Sequence, residues 1–411
     1  MKVTIFPARL EGSITPPPSK SQAHRLIIAA ALSDGVCRLS NVALSEDIQA
    51  TLRCMRTLDA DASADGTVIR GAGLVDGHED PAPALMDCGE SGSTLRFLIP
   101  VALALKGKGR FTGRGRLMER PQEPYFQLFR EKGIACSREG DVLTVEGVLR
   151  PGRYALPGDV SSQFVTGLLY ALPLLEGDSE IVLTTPLESR GYVDMTLDAL
   201  EQFGVQAAWD GKNTFRVPGN QTYRHRDLAI EADYSQAAFW YAAAGVGNGV
   251  EVTGLNPASV QGDMRIVPYH HRLREVGEAV LDMSQCPDLL PPLAAHAALR
   301  IDGVTRLVNA GRLRLKESDR LAAVTEVLGA LGADVTEEPD ALTIRGRDGL
   351  PGGVSVSAHN DHRIAMMAAV AATRCAAPVT VIGAECVKKS YPNFWEDYET
   401  LGGRIVREEE V

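Results

Sequence analysis

Residues 19–32 read SKSQAHRLIIAAAL, and the pattern of this segment recurs along the chain. A head of Ser, Gly, Asp or Gln residues precedes a body rich in alanine and other apolar residues. The pattern returns in CGESGSTLRFLIPVALAL (88–105), GDVSSQFVTGLLYAL (158–172), ADYSQAAFWYAAA (232–244), CPDLLPPLAAHAAL (286–299) and HNDHRIAMMAAVAA (359–372). The heads, taken at Ser21, Ser91, Ser161, Ser235, Asp288 and Asp361, are separated by 70, 70, 74, 53 and 73 residues. Such regular spacing indicates an internal structural repeat.

A second pattern follows each head and has the same spacing. It is an amphipathic helix that ends near glycine and continues into two short β-like runs, as in LFREKGIACSREGDVLTVEG (128–147). Glycine suits the left-handed residue that ends such a helix, and Glu-Gly-Asp suits the hairpin turn after it. Each unit is therefore predicted to run strand, helix, strand, helix, hairpin. The residues that mark the helix ends are Asp59, Gly133, Gly204, Gly277, Gly332 and Gly402.

The two helices of each unit have different predicted environments. The first is apolar on all sides and is expected inside, whereas the second has one polar face and is expected outside. Polar heads at helix starts leave backbone N–H groups free, and parallel helices direct their positive dipole ends to one surface. A chain of 411 residues exceeds one ordinary core, so we expect two domains of three units each. The helix starts would then face a shared cleft suited to a multiply anionic small molecule.

Composition excludes several classes of protein. The 42 basic and 53 acidic residues give a net charge of −11, which disfavours a general nucleic-acid or anionic-membrane surface. The seven cysteines are scattered without a CxxC pair and the histidines form no HExxH motif, so neither a disulfide framework nor a metal site is expected. No apolar run approaches the roughly 20 residues that cross a bilayer. We expect a cytoplasmic protein that needs no cofactor.

The heads contain several polar and charged residues that are not needed for helix capping. Lys20 and Arg363 are cations near helix starts, where they oppose the dipole. In RLRLKESDRL (312–321), Lys316 and Arg320 are four residues apart and are predicted to share one helical face, where like charges repel unless an anion lies opposite. Each of these residues alone is more typical of a solvated surface. Their recurrence at equivalent places in the repeat favours a site.

Seven motifs occur in the order and spacing of one family: PSKSQAHR, GESGSTLR, ERP at 119–121, SSQF, KESDR, NDHR and KKSYP. The sequence thereby resembles the 5-enolpyruvylshikimate-3-phosphate (EPSP) synthase family from Lys20 to Lys389. The resemblance implies a two-domain inside-out α/β barrel of six βαβαββ-type units, three per domain. It implies a discontinuous first domain (1–17 plus 230–411), a second domain (18–229) and an active site in the cleft between them.

The resemblance also implies an activity: transfer of the enolpyruvyl group of phosphoenolpyruvate to the 5-hydroxyl of shikimate 3-phosphate, with release of phosphate. It makes Asp288 the base near that hydroxyl and Glu317 the group that handles the proton at C3, and Lys20 contacts both substrates. The implied phosphoenolpyruvate-binding residues are Lys20, Gly92, Arg120, Gln163, Arg320, Arg363 and Lys389. The implied shikimate-3-phosphate-binding residues are Lys20, Ser21, Arg25, Ser161, Ser162, Gln163, Ser189, Asp288 and Lys316. No nucleic-acid or membrane partner is implied, and a monomer is expected.

The sequence departs from the family pattern in places, and it leaves alternatives open. Glu90-Ser91 replaces the common Asn-Ala before Gly92, Phe97 replaces the usual Pro, and Arg312 stands where some members carry Asn. A sister transferase acts on UDP-N-acetylglucosamine, but it opens with Lys-Asn and carries Cys or Asp in the loop around 112–120, both absent here. A second alternative, an RNA-end-processing or RNA-binding protein, would need a basic surface, which the net charge of −11 disfavours. A catalytically inactive, anion-binding paralogue is the third alternative.

Overall fold

The computed structural model describes residues 1–71 and 84–409. Within them the α-helices are α1 (Lys20–Ala31), α2 (Glu46–Thr57), α3 (Gly92–Lys106), α4 (Glu123–Glu131), α5 (Ser162–Ala171), α6 (Arg190–Gln202), α7 (Tyr234–Gly245), α8 (Ile266–Leu273), α9 (Leu290–Ala298), α10 (Arg320–Ala330), α11 (His362–Ala372) and α12 (Phe394–Thr400). Strands alternate with these helices, which confirms the predicted α/β class.

The strands of the described residues are short. They are β1 (Lys2–Phe6), β2 (Glu11–Ile14), β3 (Val36–Ser40), β4 (Asp61–Ala62), β5 (Val68–Arg70), β6 (Leu85–Asp87), β7 (Lys108–Thr112), β8 (Ala135–Glu139), β9 (Val142–Glu146), β10 (Gly152–Leu156), β11 (Ser179–Leu183), β12 (Ala208–Trp209), β13 (Thr214–Val217), β14 (Leu228–Ala229), β15 (Gly249–Val252), β16 (Gly277–Asp282), β17 (Gly303–Val308), β18 (Asp334–Glu337), β19 (Leu342–Arg345), β20 (Leu350–Gly352), β21 (Ser355–Ser357), β22 (Cys375–Ala377), β23 (Val379–Ile382) and β24 (Arg404–Glu408).

The chain divides into two compact units, and each has its own hydrophobic core. Unit 1 comprises Met1–Ser19 and Ala232–Val411, and unit 2 comprises Lys20–Glu231. One cluster of buried apolar residues lies in unit 1 and contains Trp240 and Phe394. The other lies in unit 2 and contains Phe97 and Phe164.

The four-stranded sheets of unit 2 share one pattern of strand pairing. Their strand orders are β14-β3-β5-β4, β6-β7-β9-β8 and β10-β11-β13-β12. In each sheet the first two strands are parallel and the remaining neighbours are antiparallel. A parallel pair requires a crossover connection, which α3 provides between β6 and β7, and α5 provides between β10 and β11. The last antiparallel pair of each sheet, β4-β5, β8-β9 or β12-β13, is the hairpin predicted from the sequence.

Unit 1 repeats this pairing in two four-stranded sheets. Their orders are β16-β17-β19-β18 and β21-β23-β1-β24, again with a parallel first pair and antiparallel neighbours. The pairs β15-β2 and β20-β22 are parallel two-stranded sheets. The N-terminal strand β1 therefore lies between β23 and β24, which ties the two ends of the chain into one sheet.

The six apolar helices lie inside the units, as predicted. All eleven residues of α11 are buried, and so are all nine of α9. In α2, by contrast, only six of twelve residues are buried. Small side chains allow helices to approach closely, so the alanine-rich bodies pack against one another while the second helices cover the outside. This arrangement places the starts of the inner helices, and with them the polar heads, at the ends of the cores.

The helix ends agree with the sequence in five of six places. The residues that mark the ends all have positive φ, including Asp59 at 66°. Gly277 differs, because it begins β16 three residues after the cap of α8 at Arg274. The prediction that Lys316 and Arg320 share a helical face is wrong. Asp319 accepts a hydrogen bond from the Ala322 amide and caps α10 at Arg320, so Lys316 lies in the irregular segment before the helix.

Candidate active site

Arg320 is the centre of an ion-pair cluster in unit 1. Its side chain is 1% exposed and donates Nη1 to Asp288 Oδ1, Nη2 to Glu317 Oε2 and Nε to Asp361 Oδ2, each at 2.8 Å. The guanidinium is planar and rigid with donors on three sides, so one arginine serves three acceptors that lie around its plane, an arrangement that the single nitrogen of a lysine does not match. The first residue of α10 thereby joins the turn before α9, the segment before α10 and the cap of α11.

Asp288 receives cations from several directions. Besides Arg320, the Arg363 Nη2 atom donates to its Oδ2 at 2.9 Å, and Lys316 Nζ lies 3.7 Å from its Oδ1. Burial alone would raise the pKa of Asp288, but the charges of Arg363, Lys316 and Arg320 outweigh it and hold that pKa well below its usual range. Asp288 is therefore ionised, and its basicity depends on how tightly these cations hold it.

Lys316 and Glu317 are the partly accessible members of the cluster. Their side chains are 25% and 19% exposed, against 1% for Arg320. Burial lowers the pKa of Lys316 to about 8, although the charge of Asp288 opposes that shift. A lysine with such a pKa exchanges its proton near neutral pH, and an accessible carboxylate can reach a ligand. This side of the cluster is suited to proton transfer.

The start of α11 supplies two more cations. Asp361 caps the helix by accepting from the Arg363 amide, and Ser318 Oγ donates to its other oxygen at 3.0 Å. Lys389 Nζ donates to the Asn360 carbonyl at 2.7 Å. Asn360 and the residue before it have φ of 52° and 50°, a left-handed conformation that costs free energy for residues other than glycine. The cluster maintains this strained turn beside Arg363 and Lys389.

In unit 2, Lys20 is the first residue of α1 and has an acidic partner. Its Nζ lies 2.7 Å from Asp47 Oδ2 in the first turn of α2, with both side chains less than one-fifth exposed. The pair satisfies a cation that the dipole of α1 would otherwise disfavour. Asp47 thus holds Lys20 at the helix start.

Arg25 lies one turn further along α1 and contacts only neutral oxygens. Its Nε donates to Thr196 Oγ1 at 2.9 Å, and its two Nη atoms donate to the carbonyls of Ser21 and Tyr192 at 2.7 Å. The guanidinium also lies 5.2 Å from the centroid of the Phe97 ring. Burial lowers the pKa of Arg25 to about 10, so it remains a cation whose charge no carboxylate in these contacts neutralises.

Gly92 and Arg120 are in direct contact. A Cβ atom built on Gly92 would lie 2.7 Å from Arg120 Nη1, closer than van der Waals contact permits. Glycine is therefore needed at the first position of α3 for the guanidinium to lie against the backbone there. This places a cation beside the free N–H groups of a helix start, which is a favourable environment for an oxyanion.

Gln163 and its neighbours begin α5. Ser161 caps this helix by accepting from the Gln163 amide, and Ser162 is its first residue. The side-chain oxygen Oε1 of Gln163 accepts from Arg96 Nη1 at 2.8 Å. Arg96 Nη2 donates to the backbone carbonyl of Pro121, the residue after Arg120, at 2.8 Å. Arg96 thereby fixes the start of α5 relative to the segment that follows Arg120.

Ser189 lies next to the same region, at the start of α6. It has φ of 54° and ψ of 42°, again left-handed for a non-glycine residue, and its side chain does not cap the helix. The Glu188 amide donates to the Gly158 carbonyl at 3.1 Å, so the segment before Ser189 runs beside the segment before Ser161. The strained conformation turns the Ser189 side chain away from its capping role.

The structure groups the predicted residues by unit. Unit 1 brings five predicted residues into one contact cluster: Asp288, Lys316, Glu317, Arg320 and Arg363. Lys389 contacts Asn360, the residue before Asp361, which caps α11. In unit 2 the predicted residues lie at or within two turns of four helix starts, except Arg120, which contacts one of them. The residues of unit 2 are Lys20, Ser21, Arg25, Gly92, Arg120, Ser161, Ser162, Gln163 and Ser189.

Sequence reasoning did not assign four residues that shape the site. Asp47, Arg96 and Asp361 hold Lys20, Gln163 and Arg320, and only a three-dimensional contact reveals this. Asp263 is the fourth: it is buried and accepts a hydrogen bond from the Ser235 hydroxyl. Burial and the nearby charge of Asp288 raise the pKa of Asp263 to about 6. The signal in the sequence was the position of Asp361 and Arg96 within the repeated heads.

No group of three or more His, Cys, Asp and Glu side chains is placed to hold a metal ion among residues 1–71 and 84–409. In those same residues, every helix is too short or too polar to span a bilayer.

Comparisons with known proteins agree along nearly the whole chain. Residues 6–398 match the family model described as EPSP synthase (3-phosphoshikimate 1-carboxyvinyltransferase). The 3-phosphoshikimate 1-carboxyvinyltransferases of Clostridium kluyveri and Clostridium botulinum are 45% and 43% identical to this chain, with 98% of it covered by each and 98% and 97% of their own lengths matched. The solved EPSP synthase of Acinetobacter baumannii superposes with a TM-score of 0.79 at 26% identity, over 99% of this chain and 100% of that one.

Proposed function

Since this chain belongs to the EPSP synthase family, we propose that it transfers the enolpyruvyl group of phosphoenolpyruvate to the 5-hydroxyl of shikimate 3-phosphate and releases phosphate. It is a transferase of the shikimate pathway, which makes aromatic amino acids. The observation that carries the proposal is the cluster around Arg320, where two accessible acids are held beside three cations. Acids for proton transfer and cations for oxyanions are what this reaction needs.

Asp288 is the base for the attacking hydroxyl in this proposal. In the free protein Arg363, Lys316 and Arg320 keep its pKa low, so it is a weak base. Binding of phosphate and carboxylate oxygens gives the same cations anionic partners, which weakens their hold on Asp288 and raises its basicity. The base thereby becomes stronger when both anionic substrates are present.

Glu317 handles the proton at C3 of phosphoenolpyruvate. The hydroxyl proton goes to Asp288, the hydroxyl oxygen bonds to C2, and a proton from Glu317 adds to C3, which gives a tetrahedral adduct. Return of a C3 proton to Glu317 then reforms the double bond as the C2–O bond to phosphate breaks. The proton on Asp288 leaves with the released phosphate or to solvent, so protons and electrons balance without an outside oxidant or reductant.

The remaining residues bind the oxyanions. For phosphoenolpyruvate, arginine forks match carboxylate and phosphate with paired hydrogen bonds, and the contact between Gly92 and Arg120 adds helix-start amides to a cation. For shikimate 3-phosphate, hydroxyls and amides at the starts of α5 and α6 suit the phosphate. The phosphoenolpyruvate set is Lys20, Gly92, Arg120, Gln163, Arg320, Arg363 and Lys389, and the shikimate-3-phosphate set is Lys20, Ser21, Arg25, Ser161, Ser162, Gln163, Ser189, Asp288 and Lys316.

The finer description of the fold belongs to the same proposal. We propose an inside-out α/β barrel of six βαβαββ-type units, three in a discontinuous first domain (1–17 plus 230–411) and three in a second (18–229). The recurrent sheet order, with its parallel first pair and antiparallel hairpin, supports this organisation. The protein is proposed to work in the cytoplasm as a monomer.

A phosphate-release assay with each acceptor tests the function. We expect phosphate to appear only when phosphoenolpyruvate and shikimate 3-phosphate are both present. Turnover with UDP-N-acetylglucosamine and none with shikimate 3-phosphate would assign the chain to the sister reaction. Absence of turnover with either acceptor, in protein that binds shikimate 3-phosphate, would identify an inactive paralogue.

A further inference from the structure

Four buried polar side chains form a continuous hydrogen-bond chain across three helices of unit 2. His24 Nδ1 lies 2.7 Å from Thr51 Oγ1, which lies 2.7 Å from Thr94 Oγ1, which lies 2.8 Å from Ser91 Oγ. All four residues are at most 1% exposed. His24 belongs to α1, Thr51 to α2 and Thr94 to α3, and Ser91 caps α3. We call these four residues the relay.

The relay has one direction. The Thr94 hydroxyl donates to Ser91 Oγ, and the Thr94 amide donates to the same oxygen at 3.1 Å. A hydroxyl has a single hydrogen, so Thr94, which donates to Ser91, accepts from Thr51. The Thr51 hydroxyl also lies 3.4 Å from the Asp47 carbonyl, a much longer contact than the 2.7 Å to Thr94, so we assign its hydrogen to Thr94 and its accepting role to His24 Nδ1. Every donor therefore points from His24 toward the start of α3.

The chemical state of His24 follows from that direction. Its Nδ1 carries the hydrogen, and its Nε2 has no hydrogen-bond partner among the described residues. The nearest aromatic ring is that of Phe97, edge-on at 6.5 Å between centroids. Burial, with smaller contributions from the charges of Lys20 and Arg25, lowers the pKa of His24 well below its usual value. A second N–H would be buried without an acceptor, so the neutral Nδ1–H tautomer is the form that fits.

The relay ends where the phosphoenolpyruvate site is proposed. Ser91 immediately precedes Gly92, whose backbone lies against the Arg120 guanidinium. The start of α1 has other anchors, since Lys20 pairs with Asp47 and Arg25 makes three hydrogen bonds of its own. At the start of α3, the relay supplies the cap that fixes the helix-start amides.

We propose that the relay is a positioning network for phosphoenolpyruvate: neutral His24, through Thr51 and Thr94, fixes Ser91 and so the backbone N–H groups at the start of α3 that receive the substrate. The proposal rests on the proposed function. A network that only stabilised the core would lower stability without preference between substrates, because its loss would not act on one binding site. The relay instead ends one residue from Gly92, so its loss should act on phosphoenolpyruvate.

Steady-state kinetics of Thr51 variants test this role. Thr51→Val keeps the shape and removes the hydroxyl, and we expect the KM for phosphoenolpyruvate to rise about fivefold, the effect of one lost hydrogen bond. The KM for shikimate 3-phosphate should stay unchanged. Thr51→Ser keeps the hydroxyl and should restore the wild-type value, and so should His24→Asn, whose amide nitrogen replaces Nδ1. Equal rises in both KM values would overturn the proposal.

A matched control separates positioning from stability. Thr373 is a buried threonine in unit 1 that donates to the Val370 carbonyl and accepts from Asn248, at the far end of α11 from Arg363. Thr373→Val should lower the melting temperature as much as Thr51→Val and leave both KM values unchanged. If Thr373→Val raises the KM for phosphoenolpyruvate as Thr51→Val does, the relay has no special role.

The tautomer of His24 is measured in wild-type protein, so it tests the relay even if Thr51→Val fails to fold. In wild-type protein labelled with ¹⁵N-histidine, NMR should show a protonated Nδ1 and a bare Nε2 for His24 throughout the neutral pH range, assigned by loss of that signal in His24→Asn. The opposite tautomer would reverse the relay, and an imidazolium would show that His24 is not the neutral group the proposal requires, so either result would overturn the proposal. The phosphate-release assay on wild type tests the activity separately, so loss of that activity and failure of the relay give different results.

Discussion

Two buried arginines, Arg320 of unit 1 and Arg25 of unit 2, are held in opposite ways. In unit 1, Arg320 donates to Asp288, Glu317 and Asp361, so its charge is neutralised within the cluster. In unit 2, Arg25 donates to one hydroxyl and two carbonyls, which carry no charge. The difference separates two tasks. In the proposed function, unit 1 holds acids whose pKa changes when cations are drawn away, whereas unit 2 keeps the positive charge of Arg25 available for an anion.

Removing the proposed base, Asp288, from the unit 1 cluster should have the largest effect on activity. Asp288→Asn keeps the size of the side chain but cannot accept a proton, and kcat should fall about a thousandfold, as loss of a general base does. Asp348→Asn is the control, because Asp348 is 81% exposed and its carboxylate pairs with Arg374 at the surface of unit 1. A similar kcat for both variants would remove Asp288 from the mechanism.

Substitutions of Arg320 and Arg25 compare how much each arginine contributes to the free energy of unfolding. Arg320→Lys leaves buried carboxylates without partners, and we expect the free energy of unfolding to fall by about 3 kcal/mol. Arg25→Lys removes hydrogen bonds to neutral oxygens only and should cost about 1 kcal/mol. Urea denaturation of both variants measures the two losses. Equal losses would show that the carboxylate and neutral environments do not differ in energy as described.

The smallest expected effect is a pH dependence within unit 1. Since the pKa of Lys316 is about 8, its charge is present below that pH and is lost as pH rises through it. The kcat/KM for shikimate 3-phosphate should therefore decline above about pH 8, within a factor of ten over the first unit of pH. Lys316→Arg keeps its charge and should move the decline to higher pH. An unchanged decline in that variant would assign it to another group.

The repeat made the framework predictable from sequence, while the contacts of the site were not. The heads and helix ends gave the α/β class, the inner helices and the hairpins, because small-residue helices and left-handed glycines have local causes. The helical prediction for Lys316 failed at Asp319, whose capping bond delays the helix until Arg320. Local periodicity could not show that Asp319, and not an earlier polar residue, would cap α10.

Partners distant in sequence were the other part that could not be predicted. Asp47 lies 27 residues from Lys20, and Arg96 lies 67 residues from Gln163. Arg96 lies in a repeated head, which marks it as a candidate, but nothing local in the sequence shows which residues Asp47 and Arg96 contact, and only packing of separate helices brings the partners together. The roles of Asp288 and Glu317 came from the family resemblance, and they stay predictions until the reaction is measured.

Deuterium transfer in D₂O tests most directly whether unit 1 performs the proton chemistry. During turnover of phosphoenolpyruvate and shikimate 3-phosphate, wild-type protein should place deuterium on the enol methylene of the product, because C3 gains and then loses a proton. Glu317→Gln should bind both substrates normally and turn over about a hundredfold more slowly, with deuterium incorporation at C3 slowed in the same proportion. Near-normal turnover with full deuterium incorporation in Glu317→Gln would contradict the account.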